Sequence, residues 1–238
     1  MTEASTTTPD AAPAHIRDKL AIALDVDDIV VARRLAREVQ PYFGVAKVGL
    51  ELYSAVGPGI VGHLIDAGFK VFLDIKLHDI PTTVGKAARV LGSIGASYLT
   101  IHAMGGAPML RAGVDGLCEG ASRAGLPEPV GLAVTILTSD DGAPPHILGK
   151  RVQAAVEGGC RGIVCASSDI RQAKTLAPRI LAVVPGIRPA GMATHDQARA
   201  ATPEAALDAG ADLLVIGRAV TGAEDHAEAA ARIVASLA

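Results

Sequence analysis

Eight short apolar runs punctuate this chain, and most are followed by a longer stretch with helical periodicity. The runs occupy residues 20–24, 45–48, 71–75, 98–101, 130–136, 162–165, 180–184 and 213–216. A strand with one face in water alternates apolar and polar residues. These runs are nearly continuous in apolar residues, the pattern of parallel strands buried on both faces. Between them, Ala32, Leu35, Ala36 and Val39 recur at helical spacing, with Arg33, Arg34 and Arg37 on other faces. Thr202-Pro203 reads as an N-cap followed by proline at the first helical position. Similar patterns fill residues 83–91, 148–156, 168–176 and 223–236. Eight strands alternating with about eight helices predict an α/β fold of the (β/α)8 TIM-barrel type. A doubly wound open sheet is the alternative. It lacks its usual support here, because residue 24 leads into Asp25-Val26-Asp27-Asp28 and not into a glycine-rich dinucleotide fingerprint.

At 238 residues the chain has the length of a one-domain barrel. Residues 17–238 are predicted to form that single catalytic domain. Residues 1–16 are rich in Thr, Ala and Pro and read as a flexible tail. They have neither the basic start nor the apolar stretch of a secretory signal, since the first Lys or Arg is Arg17. No apolar run reaches membrane-spanning length. The net charge of −3 offers no footprint for nucleic acid or an anionic membrane. Aromatics are 3% and Trp is absent, which argues against base-stacking platforms. Cys118, Cys160 and Cys165 fit neither a disulfide framework nor a zinc motif and are expected as packing residues of a cytoplasmic protein.

Barrel enzymes place their active sites at the C-terminal ends of the strands. The residues there are Asp25, Lys47, Asp74, Lys76, His102, Thr138, Arg188 and Arg218. In a regular strand Asp74 and Lys76 point the same way, toward the barrel mouth, and Ile75 points outward. Opposite charges at the end of an apolar strand are costly unless paired or functional. They could simply close the barrel top as an ion pair. Lys47 reaches the same mouth, and the resulting Lys–Asp–Lys array favours a functional reading. Asp79 lies beyond the strand. Pro81 disfavours a helical Ile80 and lets a helix begin there. Asp79 could cap that helix or point outward to a partner subunit. Arg188 and Arg218 each follow a glycine-containing strand end, in Pro185-Gly186-Ile187-Arg188 and Ile216-Gly217-Arg218. Barrels often bind phosphate after strands seven and eight, where glycine admits close backbone approach and Arg matches phosphate bidentately. Residues 189–197 contain Gly191 without apolar periodicity and read as a lid over that site. His102 has no second histidine at ligand spacing, so no metal is assigned.

The run Asp74-Ile75-Lys76-Leu77-His78-Asp79-Ile80-Pro81 resembles the signature of the orotidine 5′-monophosphate decarboxylase family. The likeness extends over nearly the whole chain after the tail. Leu24-Asp25, Lys47-Val48-Gly49, Thr135-Ile136-Leu137-Thr138-Ser139, Pro185-Gly186-Ile187-Arg188-Pro189, Asp196-Gln197 and Gly217-Arg218 fall in the family's order. Leu77, Thr82 and His195 depart from it at positions where an aromatic, an Asn and an acidic residue are common; none of these removes a charged group. The resemblance implies metal- and cofactor-free decarboxylation of orotidine 5′-monophosphate to UMP, the last step of UMP synthesis. It implies a catalytic set of Lys76, Asp74, Lys47 and Asp79. Asp25 and Lys47 would hold ribose hydroxyls. Asp74 would lie beside the substrate carboxylate, and Lys76 would donate the proton that replaces CO2. Asp79, with Ile80 and Thr83, would reach into the neighbouring site of a homodimer. Thr138 would contact the pyrimidine. Arg188, Gln197, Gly217 and Arg218 would grip the phosphate, with Gln197 linking it to the base.

Two other readings compete. Related barrels that decarboxylate or condense sugar phosphates carry a similar Asp-x-Lys pattern, but bind Mg²⁺ through an acidic residue at the end of strand two, where this chain has Lys47. A non-catalytic nucleotide-binding barrel makes poor sense of Asp74, which would only repel an anionic ligand.

Overall fold

The computed structural model of the chain describes residues 11–140, 142–189 and 201–237. Eight parallel strands close into a barrel in sequence order. They are β1 Leu20–Ala23, β2 Val45–Gly49, β3 Lys70–Leu77, β4 Ala96–His102, β5 Val130–Val134, β6 Gly162–Val164, β7 Leu181–Val184 and β8 Leu213–Ile216. Closure is made by β1 on β8, with Leu20 opposite Leu214 and Ile22 opposite Ile216. All eight apolar runs therefore become strands, and the doubly wound alternative is excluded.

The helices follow the strands around the outside. They are α1 Ala14–Arg17, α2 Ile29–Val39, α3 Leu50–Val56, α4 Gly59–Asp66, α5 Pro81–Ser93, α6 Gly106–Arg123, α7 His146–Glu157, α8 Ile170–Leu176, α9 Pro203–Asp208, α10 Arg218–Thr221 and α11 His226–Ala235. Among the described residues, no helix is long and apolar enough to cross a membrane.

Strand alternation produces two apolar layers. Ala21, Ala23, Val45, Phe72, Leu132, Val183, Leu213 and Val215 fill the barrel interior, with Phe72 edge-on to Tyr98. The intervening residues, such as Ile22, Val48, Leu73 and Leu99, pack outward against the helices. Burial on both faces is why the strand sequences lack polar alternation. Capping matches sequence chemistry where a side chain can reach. Asp28 accepts from the backbone N–H groups of Val30 and Val31, and Thr202 accepts from that of Ala205, ahead of Pro203. Cys160 and Cys165 are buried, and burial pushes the Cys160 thiol up to about 12.

One expectation needs correction, that of the tail. Residues 1–10 lie outside the described residues, but Ala14–Arg17 is helical and Ala12 and Ile16 are buried. The Ala12 N–H donates to the Pro41 carbonyl, and the Gly44 N–H to that of Arg17. Residues 12–16 therefore pack on the barrel base, because Ile16 contributes apolar area that the barrel buries.

A helix that the sequence patterns do not single out is α6, the longest among those described, whose glycines conceal its periodicity. Each interior glycine costs a helix up to about 1 kcal/mol relative to alanine. Here the helix packs backbone against backbone on α5. A Cβ at Gly116 would collide with the Gly85 carbonyl, one at Gly120 with the Arg89 carbonyl, and one at Gly92 with the Leu117 carbonyl. The close approach is what the glycines permit, and it anchors the helix that begins directly after Asp79 and Ile80. We expect Gly120→Ala to destabilise the protein by about 1–3 kcal/mol through overpacking. Gly62→Ala, in α4 with open space around its Cβ, should be neutral or stabilising by up to about 1 kcal/mol. Urea unfolding midpoints of the two variants check this contrast.

Candidate active site

The C-terminal strand ends surround a cavity of about 440 Å³. Asp25, Lys47, Asp74, Lys76, Thr138, Arg188, Gly217 and Arg218 all line it. Eight of the sequence-predicted residues thus converge from six different strand ends, with apolar walls from Phe72, Ile136 and Val164.

The charged floor is one continuous array. Lys47 Nζ lies 2.9 Å from Asp25 Oδ1 and 3.8 Å from Asp74 Oδ2. Lys76 Nζ lies 2.9 Å from Asp74 Oδ1. Lys47 is buried, and Asp74 is largely so. A buried ammonium between two carboxylates offsets its desolvation by pairing, and losing either partner would leave an uncompensated charge. Gly49 gives this pair room, since a Cβ there would come 2.9 Å from Asp25 Oδ1 and 3.2 Å from Lys47 Nζ.

Asp74 and Lys76 both reach the cavity: Asp74, in register with Gly49 and two residues after the inward Phe72, follows strand alternation, whereas Lys76 leaves the regular strand. Pairing of β3 with β4 jumps from Leu73–Leu99 to Leu77–Ile101, so extra residues bulge from β3 at the site. Lys76 sits at φ 48°, in the left-handed region. A non-glycine residue in that region carries strain of order 1–3 kcal/mol, and such strain collects at functional sites. Ile75 packs outward, as alternation predicts.

Sequence reasoning missed Thr100, which is fully buried on β4. Its hydroxyl lies 3.1 Å from Asp74 Oδ1 and accepts the Lys76 N–H at 2.9 Å. The available signal was a hydroxyl at an inward position of an otherwise apolar run, two residues after Tyr98. Arg151 was also missed. From α7 it donates to the Thr135 carbonyl, while the Thr135 hydroxyl donates to that of Val164. These bonds hold the end of β5 from which the chain continues to Thr138. Nothing in the α7 sequence distinguishes Arg151 from a solvated arginine.

On the opposite rim, Pro185, Gly186, Ile187 and Arg188 line the cavity beside Gly217 and Arg218. Gly186 has φ 79°, a turn that only glycine adopts freely. The Arg188 N–H is bound by the Ala201 carbonyl. Gln197 lies outside the described residues, as do residues 190–197 of the expected lid.

Asp79, Ile80 and Thr83 do not line their own chain's cavity. All three are exposed. Asp79 Oδ1 accepts the neighbouring Ile80 N–H, and the N-cap of α5 is Ile80, which makes no side-chain cap. The capping role left open for Asp79 is therefore not taken.

His102 is a structural histidine. Its Nδ1 accepts the Met104 N–H and its ring stacks on His78, with centroids 5.6 Å apart. Burial, followed by the positive fields of Arg151, His78 and Lys76, pushes its pKa down. Among the described residues, no three His, Cys, Asp or Glu side chains are grouped to hold a metal ion.

Comparison with known proteins bears on this site. The sequence profile of the orotidine 5'-phosphate decarboxylase / HUMPS family matches residues 18–233. An orotidine 5'-phosphate decarboxylase of Thermobifida fusca is 45% identical over 230 residues, covering 92% of this chain and 95% of the relative. Another, from Anaeromyxobacter dehalogenans, is 45% identical over 231 residues, covering 92% and 98%. The crystal structure of orotidine 5'-phosphate decarboxylase from Lactobacillus acidophilus superposes with a TM-score of 0.77 at 32% identity, covering 91% of this chain and 97% of that one. This chain belongs to the orotidine 5'-phosphate decarboxylase / HUMPS family.

Proposed function

We propose that this protein decarboxylates orotidine 5′-monophosphate to UMP without metal or organic cofactor, as the last step of pyrimidine nucleotide synthesis in the cytoplasm. The observation that carries this reading is the Asp25–Lys47–Asp74–Lys76 array facing Arg188 and Arg218 across one cavity. The arginines suit a phosphate, Asp25 and Lys47 the ribose hydroxyls, Thr138 the base, and Asp74 with Lys76 the reacting carbon. Gln197 would complete the phosphate grip.

In the reaction the bond from C6 of the pyrimidine to the carboxyl carbon breaks. Its electron pair stays on C6, CO2 leaves, and C6 takes a proton from Lys76 Nζ. Two like charges about 4 Å apart interact by roughly 4 kcal/mol at an effective dielectric near 20. Repulsion between Asp74 and the substrate carboxylate therefore supplies at most about a thousandfold. Decarboxylation to an unstabilised carbanion needs far more. The remainder comes from the Lys76 ammonium, preorganised where negative charge develops, and from phosphate binding energy realised at the reacting centre.

The Mg²⁺-dependent barrels within the same family group are the competing class. They need an anionic ligand at the end of β2. Here that position carries the Lys47 ammonium, which two carboxylates already engage.

A homodimer with shared sites accounts for Asp79, Ile80 and Thr83, which are exposed and do not line their own cavity. Ile80 is 66% exposed, and an apolar side chain so placed beside a charged group suits insertion against a partner. Neither nucleic acid nor a membrane is a partner in this reading.

Three measurements test it. Incubation with orotidylate in the presence of EDTA should shift the ultraviolet spectrum from that of orotidylate to that of UMP; an unchanged spectrum would sink the decarboxylase reading. Arg218→Ala should lower kcat/KM for orotidylate by about 10- to 100-fold, the loss of one charge-assisted bond. It should leave kcat/KM for the phosphate-free nucleoside orotidine nearly unchanged, and equal losses on both substrates would contradict the phosphate role. Subunits carrying Lys76→Ala and Asp79→Ala should each be inactive. On exchange they should recover about a quarter of wild-type activity, because half the dimers are then mixed and each holds one intact site. No recovery with exchange confirmed would place Asp79 in its own subunit's chemistry.

A further inference from the structure

Thr100 stands out as a buried polar side chain that sequence reasoning passed over. On β4 the inward positions are Tyr98, Thr100 and His102, while Leu99 and Ile101 pack toward the helices. The hydroxyl therefore lies inside the barrel, directly under the charged floor, with no exposure to solvent. A hydroxyl in such a place is costly unless bonded. Its partners are Asp74 Oδ1 at 3.1 Å, the Lys76 N–H at 2.9 Å and the Leu73 carbonyl at 3.4 Å.

Those partners belong to an irregular stretch of the barrel. Between Leu73 and Leu77 the β3 backbone leaves its regular pairing with β4. The Lys76 N–H, released from the ladder, is taken up by Thr100 Oγ1. The same oxygen donates its proton to the carboxylate oxygen that Lys76 Nζ also holds, at 2.9 Å. One hydroxyl thus binds the backbone of the ammonium-bearing residue and the side chain of its carboxylate partner. It sits at the point where Lys76 is held at φ 48°.

We infer that Thr100 is a positioning residue for the proton-transfer step: its hydroxyl sets the Lys76 backbone and the Asp74 carboxylate so that the ammonium points at the reacting carbon. This rests on the decarboxylase reading above. The residue touches no substrate in that reading, so its removal should act on turnover and not on nucleotide binding.

The test compares wild type, Thr100→Val and Thr100→Ser by steady-state decarboxylation of orotidylate, UMP binding by calorimetry and thermal unfolding. Thr100→Val keeps the shape and removes the hydroxyl. It should lower kcat by about 10- to 100-fold, with KM for orotidylate and the Kd for UMP within about threefold of wild type. Thr100→Ser restores the hydroxyl and should recover kcat to within about threefold of wild type. A Thr100→Val enzyme with wild-type kcat overturns the inference. So does a loss confined to KM and UMP affinity, or a Thr100→Ser enzyme as slow as Thr100→Val. Should Thr100→Val fail to fold, the serine variant and Thr100→Ala are read by the same criteria. Failure of the decarboxylase reading is separate and visible at once, as a wild-type protein that neither consumes orotidylate nor binds UMP.

Discussion

The carboxylate of Asp74 is the point on which the site is built. One of its oxygens receives the Lys76 ammonium and the Thr100 hydroxyl, and the other faces the Lys47 ammonium. A largely buried carboxylate among apolar barrel walls is tolerable only with such partners, and each partner is held in turn by something else. Lys47 is tied to Asp25. Lys76 is tied through its backbone to Thr100. The array is consequently stiff, and a stiff array of charges costs little reorganisation when charge develops on a bound molecule.

This stiffness has a backbone counterpart. The β3–β4 pairing breaks step just where the charged residues of β3 emerge. The break lets Asp74 and Lys76 meet each other as well as the cavity. It also turns the chain outward, so that Asp79 and Ile80 leave the barrel exposed before α5 begins at Pro81. The α5–α6 contact, made backbone to backbone through Gly85, Gly92, Gly116 and Gly120, anchors that helix behind them. The run from Asp74 to Pro81 thus lines the cavity at one end and lies exposed at the other.

Much of this was legible in the order of residues. The eight strands could be read because burial on both faces forces apolar continuity, and the cavity residues because barrels expose polar groups at strand ends. Lys47 at the end of β2 was legible as a cation at the barrel mouth, where it lies between Asp25 and Asp74. Other features depend on neighbours distant in sequence. The periodicity of α6 is hidden by glycines whose purpose is a helix packed against them. Ile16 looked like part of a tail because the surface that buries it is made by the loop before β2.

Residue order alone was enough for the closed α/β barrel, the charged groups at its mouth, and the arginines on the far rim. These follow from local pattern: periodicity, glycine placement and residue type at strand ends. Only the tertiary structure decided how Asp74 and Lys76 face each other, that Thr100 binds both, and that Asp79 leaves its own helix uncapped. Those outcomes rest on the register between β3 and β4 and on bonds 24 and 26 residues apart in the chain. Register is a property of two strands packed together, and no single strand's sequence contains it.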